Sequence, residues 1–108
     1  MNYVLQVGGR TLDLLDPWQH QFSLKDAVKA ISRTPRFSGH TTSFYSVAQH
    51  CVIVSVLCPL RPWDGLAHDL EEAYIGDIPS PQKRLMETLA PLYAARLRNV
   101  SMAVESAF

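Results

Sequence analysis

This chain is short of cysteine, of net charge and of long apolar runs, and each shortage removes a class of protein. Its two cysteines, Cys51 and Cys58, are seven residues apart. On a helix that spacing sets their Cα atoms about 10 Å apart, beyond disulfide reach, so both are expected to be buried free thiols. Ten Lys and Arg balance ten Asp and Glu, which leaves no electrostatic footprint for a nucleic-acid polymer. The longest apolar stretch, Val52 to Leu60, contains a serine and a proline and is too short to span a bilayer. No basic segment leads into an apolar one at the N-terminus, so a cytoplasmic protein without a membrane segment is expected. Linkers, repeats and low-complexity segments are also missing. What remains is 108 residues, 47% of them hydrophobic, which suits one domain over 1–108 with a modest core.

The pattern predicts a mainly α fold with a small N-terminal β-hairpin. Tyr3 to Val7 and Thr11 to Leu15 flank Gly8-Gly9, so residues 1–15 read as a hairpin with a glycine turn. Asp16-Pro17-Trp18 ends it. Residues 23–108 then form the helical core. Ser23 with Asp26 three positions on reads as a helix start, with Leu24, Val28 and Ile31 on one face and an end near Arg33. Arg36 to Thr42 is aperiodic and polar, hence a loop. Ser46 and Gln49 fit a capping box, with Val47, His50, Val54 and Leu57 following at helical spacing until Pro59, although the β-branched run Val52-Ile53-Val54 favours a strand. A third helix is expected over Trp63 to Tyr74, closed by Gly76. Ser80-Pro81 reads as an N-cap and first-turn proline of a fourth helix carrying Leu85, Met86 and Leu89. Pro91 marks a kink or restart before the stripe Tyr93, Leu97, Val100, Val104.

The chemistry concentrates in Leu66-Ala67-His68-Asp69-Leu70-Glu71-Glu72. An adjacent His-Asp pair inside an apolar helix is costly to bury unless something pairs with it, and a divalent metal answers that need. A lone histidine on an apolar face, such as His50, is more often a satisfied core residue than a ligand. His68 and Asp69 together raise the case for metal, since imidazole and carboxylate suit Mn, Co, Fe, Mg or Zn without selecting one. His68 and Glu72, four apart, would share a helical face, so the Glu72 carboxylate can approach a water held at the ion. Against this stand the plain readings: Glu71 and Glu72 as a solvated face, and Asp77 as a turn cap.

The blocks Arg36-Phe37, Gly39-His40-Thr41, Tyr45 to His50, and Ala67 through Asp77 to Pro81 together resemble the HD-domain metal phosphohydrolases. In particular they resemble bacterial and phage members similar to 5′-deoxynucleotidases. The resemblance follows the family's order and covers nearly the whole chain. It implies an HD-like helical bundle in which His50, His68 and Asp69 bind a divalent metal, Glu72 handles protons, and Asp77 orients the attacking water or the substrate. Arg36, and more weakly His40, would contact phosphate. The implied reaction is metal-assisted hydrolysis of a nucleotide phosphate ester. In it the ion acidifies a water and offsets phosphoryl charge, while the arginine fork holds the phosphate through two parallel hydrogen bonds. Phe37, Phe44, Tyr45 or Trp18 could pack against a base, although large aromatics in a small domain are more often core.

One departure from the family stands out. Its members supply a further aspartate from a helix well beyond the His-Asp pair, whereas here no aspartate follows Asp77, and Glu87 and Glu105 are the downstream carboxylates. The chain stops at Phe108, where relatives would continue through another helix or two. The expectation is therefore a three-ligand site with looser geometry, and a partly uncovered core that favours a homodimer or a protein partner. Two functions remain open. One is a metal-dependent nucleotide phosphohydrolase. The other is a shortened HD-fold protein that binds or inhibits, such as a phage accessory factor acting against a host system. Five polar positions would be poor choices for a purely structural core, which favours the enzyme.

Overall fold

A computed structural model describes residues 3–108, and among these the architecture is mainly helical with one two-stranded antiparallel hairpin. Strand β1 (Val4–Val7) pairs with β2 (Arg10–Asp13), in the register Val4 to Asp13 and Val7 to Arg10. Gly8 and Gly9 both take positive φ, +54° and +80°. A two-residue turn needs this of both central residues when its twist is to match that of the strands. The hairpin ends where Asp13 Oδ1 accepts the Leu15 N–H. Leu12 is fully buried and anchors the ribbon on the helices.

Helix α1 (Leu24–Ile31) starts at Ser23, whose hydroxyl accepts the Asp26 N–H. Its buried residues are Ala27 and Ile31, while the expected Leu24 and Val28 are 41% and 48% exposed. Ile31 is thus buried as expected, while the small Ala27 takes the inward place expected for Val28. Helix α2 (Val47–Leu57) carries the full capping box: the Ser46 hydroxyl accepts from Gln49 N–H, and Gln49 Oε1 accepts from Ser46 N–H. That reciprocal cap satisfies two otherwise orphaned donors and favours helix despite the β-branched run. Val47 and Cys51 face the core, but Leu57 is 74% exposed. Cys58 is exposed rather than buried, since Pro59 and Leu60 turn the chain outward just where it lies.

The expected single helix over Trp63 to Tyr74 is two short ones, α3 (Pro62–Ala67) and α4 (Glu72–Ile75). Between them the backbone winds tightly. Leu70, Glu72, Ala73 and Tyr74 donate to the carbonyls three residues back, of Ala67, Asp69, Leu70 and Glu71. Three residues per turn superimposes positions i and i+3, so Glu72 stands in line with Asp69 rather than over His68. Gly76 ends α4 with φ +80°.

Helix α5 (Ser80–Leu89) begins one residue earlier than expected. Pro79 occupies the cap position and Ser80 is the first helical residue, with no side-chain cap. Pro91 restarts the chain as α6 (Pro91–Ala107) after Ala90. Val100 and Val104 are buried, as the stripe predicts, whereas Leu85, Leu89 and Tyr93 are more than half exposed. The core gathers Leu12, Ala27, Ile31, Val47, Cys51, Leu70, Tyr74, Val100 and Val104.

The packing of α3 on α2 positions the site. Gly65 is buried, and a Cβ there would come within 2.7 Å of Ser55 Cα and 2.8 Å of Ser55 N. Only glycine lets these two backbones meet so closely, and the close approach carries the C-terminal end of α3 onto the His50 face of α2.

Candidate metal centre

His50 projects from the first turn of α2, while His68 and Asp69 come from the tight turn after α3. Their rings and carboxylate converge. The His50 and His68 ring centroids are 5.2 Å apart. Asp69 Oδ2 lies 2.9 Å from His68 Nε2 and 3.5 Å from His50 Nε2. One ligand atom from each of the three falls within 4.8 Å of the others. Ligands about 2.1 Å from a shared ion stand about 3.0 Å apart at a right angle and about 3.4 Å apart at the tetrahedral angle. The two distances to Asp69 match those edges.

The protonation pattern also suits a cation. His68 Nδ1 lies 2.6 Å from the Gly65 carbonyl, which can only accept, so Nδ1 carries a proton and Nε2 is the nitrogen turned to Asp69. Nε2 lies 2.9 Å from a carboxylate oxygen of Asp69. A nitrogen and a carboxylate oxygen at this distance share either a proton or a metal ion. Burial first, and then the Arg36 charge, lower the His50 pKa, leaving a neutral imidazole ready to ligate. Burial pushes the Cys51 thiol up to about 11, which removes it as a thiolate ligand or nucleophile at neutral pH.

Glu72 is 7% exposed, and its Oε2 has no hydrogen-bond partner. Burial, then the charges of Asp69 and Asp77, raise its pKa to about 8. A carboxyl titrating near neutrality can accept or give a proton under working conditions. Asp77 is engaged with Arg36: Arg36 Nη1 donates to Asp77 Oδ2 at 3.2 Å, the two side chains being 20% and 8% exposed. Arg36 also lies 4.8 Å over the Phe37 ring, a cation–π contact, and its buried Nε donor has no partner. The backbone beside it is unusual. Phe37, Ser38 and Gly39 take φ of 53°, 54° and 84° in succession, a left-handed turn that costs about 1–2 kcal/mol at each residue with a Cβ.

These groups share one cleft of about 450 Å³, walled by Arg36, Phe37, His50, His68, Asp69, Glu72, Asp77, Ser80 and Lys83 among others. Six of the seven expected site residues are thus brought together. His40 is not: it is exposed past the left-handed turn and is absent from the walls. Among the aromatic candidates Phe37 reaches the cleft, and Trp18, Phe44 and Tyr45 do not. Lys83, in the first turn of α5, was missed by sequence reasoning. A lysine two residues after Pro81 resembles any solvated helix position, and only the folding of α5 across the cleft distinguishes it.

No protein-family model matches the chain. It is 47% identical over 64 residues to the uncharacterized protein YfdR of Escherichia coli K12, an alignment covering 58% of this chain and 36% of that protein. It is 34% identical over 87 residues to the uncharacterized protein RCAP_rcc00048 of Rhodobacter capsulatus, covering 71% of this chain and 44% of that protein. The chain therefore spans less than half the length of the curated relatives it matches.

Proposed function

We propose that this chain carries the site of a metal-dependent phosphohydrolase of the HD-domain type, acting on a nucleotide phosphate ester in the manner of a 5′-deoxynucleotidase. The observation that carries the reading is the meeting, in one cleft, of a His50–His68–Asp69 triad spaced for a divalent ion with two cationic side chains, Arg36 and Lys83. Neither half alone would point to phosphate. The Arg36 guanidinium stands at the wall of this cleft beside the triad, where a planar cationic fork suits a phosphate oxygen. Ser80 and Pro81, at the start of the ten-residue α5, also line the cleft, and a helix N-terminus favours an anion.

A divalent ion bound at the triad would act as a Lewis acid toward a phosphoryl oxygen and acidify a water. The chain's own groups do the rest. Asp77 fixes the Arg36 guanidinium at the wall of the cleft through its Nη1 hydrogen bond, and the Phe37 ring packs against it. Arg36 and Lys83 offset the phosphate charge and fix its orientation. Glu72, in line with Asp69, exchanges a proton with the attacking water or the leaving oxygen.

The test is Mn²⁺- or Co²⁺-dependent release of phosphate from a panel of deoxynucleoside monophosphates. His68→Ala and Asp69→Ala should abolish release while leaving the circular dichroism spectrum intact; unchanged turnover in both would overturn the assignment. A second reading, a binding or inhibitory factor without turnover, draws support from the apolar side chains Val52, Ile53, Val56 and Leu57 that α2 leaves about half exposed or more. It predicts metal or nucleotide binding without phosphate release.

A further inference from the structure

The two outer edges of the hairpin differ. With a two-residue turn, Val7 and Arg10 exchange both backbone hydrogen bonds, and so do Leu5 and Leu12. The Leu14 N–H, donating to the Tyr3 carbonyl at 2.8 Å, continues the same ladder. The backbone groups of Val4 and Gln6 on β1, and of Thr11 and Asp13 on β2, therefore point away from the partner strand. On β2 the outward carbonyls are occupied: Asp13 accepts from the Asp16 N–H at 3.1 Å, and Thr11 from His20 Nδ1 at 3.3 Å. On β1 the outward groups of Val4 and Gln6 have no partner among the described residues. Its sequence, Val-Leu-Gln-Val, also lacks the proline or charge that commonly guards an exposed edge.

Beside β1 runs a groove of about 280 Å³, lined by the apolar Leu5, Val7 and Ala30 and by two cations, Lys29 in the last turn of α1 and Arg33 just past its end. Neither cation is ion-paired among the described residues. The acid on the same wall, Asp26, is held by Arg10 at 2.9 Å, so the free charge of the groove is positive.

We propose that this groove takes an extended acidic peptide segment of another protein, added to β1 as a third strand. Main-chain hydrogen bonds to Val4 and Gln6 would supply affinity, and carboxylates set against Lys29 and Arg33 would supply the choice of partner. The same cations argue against a second copy: β1 paired on β1 sets Lys29 and Arg33 of both copies along one seam, where like charges repel. Helix α4 stands between this groove and the metal cleft, Glu72 walling the cleft and Ala73 and Tyr74 the groove. The proposal is therefore independent of the phosphohydrolase reading.

The test is fluorescence anisotropy of the labelled peptide Glu-Val-Glu-Val-Glu, capped at both ends, against Lys-Val-Lys-Val-Lys and against the acidic peptide with its valine amides N-methylated. The acidic peptide should bind with a Kd below about 1 mM, and the basic one at least about tenfold more weakly. Lys29→Glu combined with Arg33→Glu should weaken the acidic peptide about tenfold or more. Gln6→Pro should do the same, because it removes one outward N–H and leaves the hairpin ladder whole. Should that variant not fold, the N-methylated peptide gives an equivalent reading on the native chain, and it should bind at least about tenfold more weakly. No binding at about 1 mM overturns the proposal, as does equal binding of the basic peptide. An N-methylated peptide that binds as well as its parent, and is displaced by inorganic phosphate, would reduce the groove to a plain anion site and overturn strand addition.

Discussion

Replacing Glu72 with glutamine should make the metal-free protein more stable, by an amount that grows with pH. Burial and two neighbouring carboxylates raise the Glu72 pKa from 4.5 to about 8. In the unfolded chain the group returns to its ordinary value. Below about pH 4.5 it is protonated in both states and contributes no difference. Between the two values the folded chain holds a proton that the unfolded chain has released, so unfolding becomes easier as pH rises, by about 1.4 kcal/mol per pH unit. The accumulated cost is about 3 kcal/mol at pH 7 and levels off near 5 kcal/mol above pH 8. Glutamine removes the titration while keeping shape and volume. Urea unfolding in EDTA at pH 5, 6, 7 and 8 should show the variant and native chain nearly equal at pH 5 and the variant more stable by several kcal/mol at pH 8. The His50 pKa is lowered, so its effect runs oppositely, adding stability as pH rises; it is common to both proteins and drops out of their difference. Saturating Mn²⁺ should narrow the gap, because a cation beside Asp69 favours the charged carboxylate. A difference independent of pH, or a native chain more stable at pH 8, would refute the reasoning.

Four further outcomes follow from the same geometry. Mn²⁺ at about 100 times its Kd should stabilise the native chain by about 2.7 kcal/mol, and Asp69→Ala should erase that gain, as read by thermal denaturation with and without the ion. Arg36→Ala should raise KM for a nucleotide substrate more than it lowers kcat, and Asp77→Asn should produce a weaker version of the same change by releasing the arginine; equal loss of kcat in both would contradict the pairing. Gly65→Ala drives a methyl into the Ser55 backbone and should cost about 1–3 kcal/mol or more. It should also weaken Mn²⁺ binding by parting α2 from α3, which isothermal titration would detect. Ser38→Gly should raise stability by about 1 kcal/mol, because glycine is indifferent to the left-handed φ of 54°; a drop in urea midpoint would argue against that turn.

Local chemistry determined much of this molecule. The glycine pair set the hairpin turn, Ser23 started α1, and the Ser46–Gln49 box made α2 a helix against its own β-branched run. These signals act within four residues of one another, so no distant contact is needed to read them. The side chains that form the triad were legible for a related reason: His-Asp in an apolar stretch is a costly choice wherever it folds.

Tertiary structure decided which of those residues meet. The interruption between α3 and α4 is invisible in apolar spacing, because periods of 3.0 and 3.6 diverge by less than one residue over so short a segment. It nonetheless moved Glu72 from the His68 line to the Asp69 line. Gly65 reads as a weak point in a helix until Ser55 is set against it, and Lys83 as a surface charge until α5 crosses the cleft. Asp77 reads as a turn cap until Arg36, 41 positions earlier in the chain, reaches it. His40 stands within four residues of Arg36, yet the left-handed turn carries it away from the cleft. Sequence spacing specifies what a residue can do chemically. Contacts between segments far apart in the chain, which no local pattern encodes, specify what it does it with.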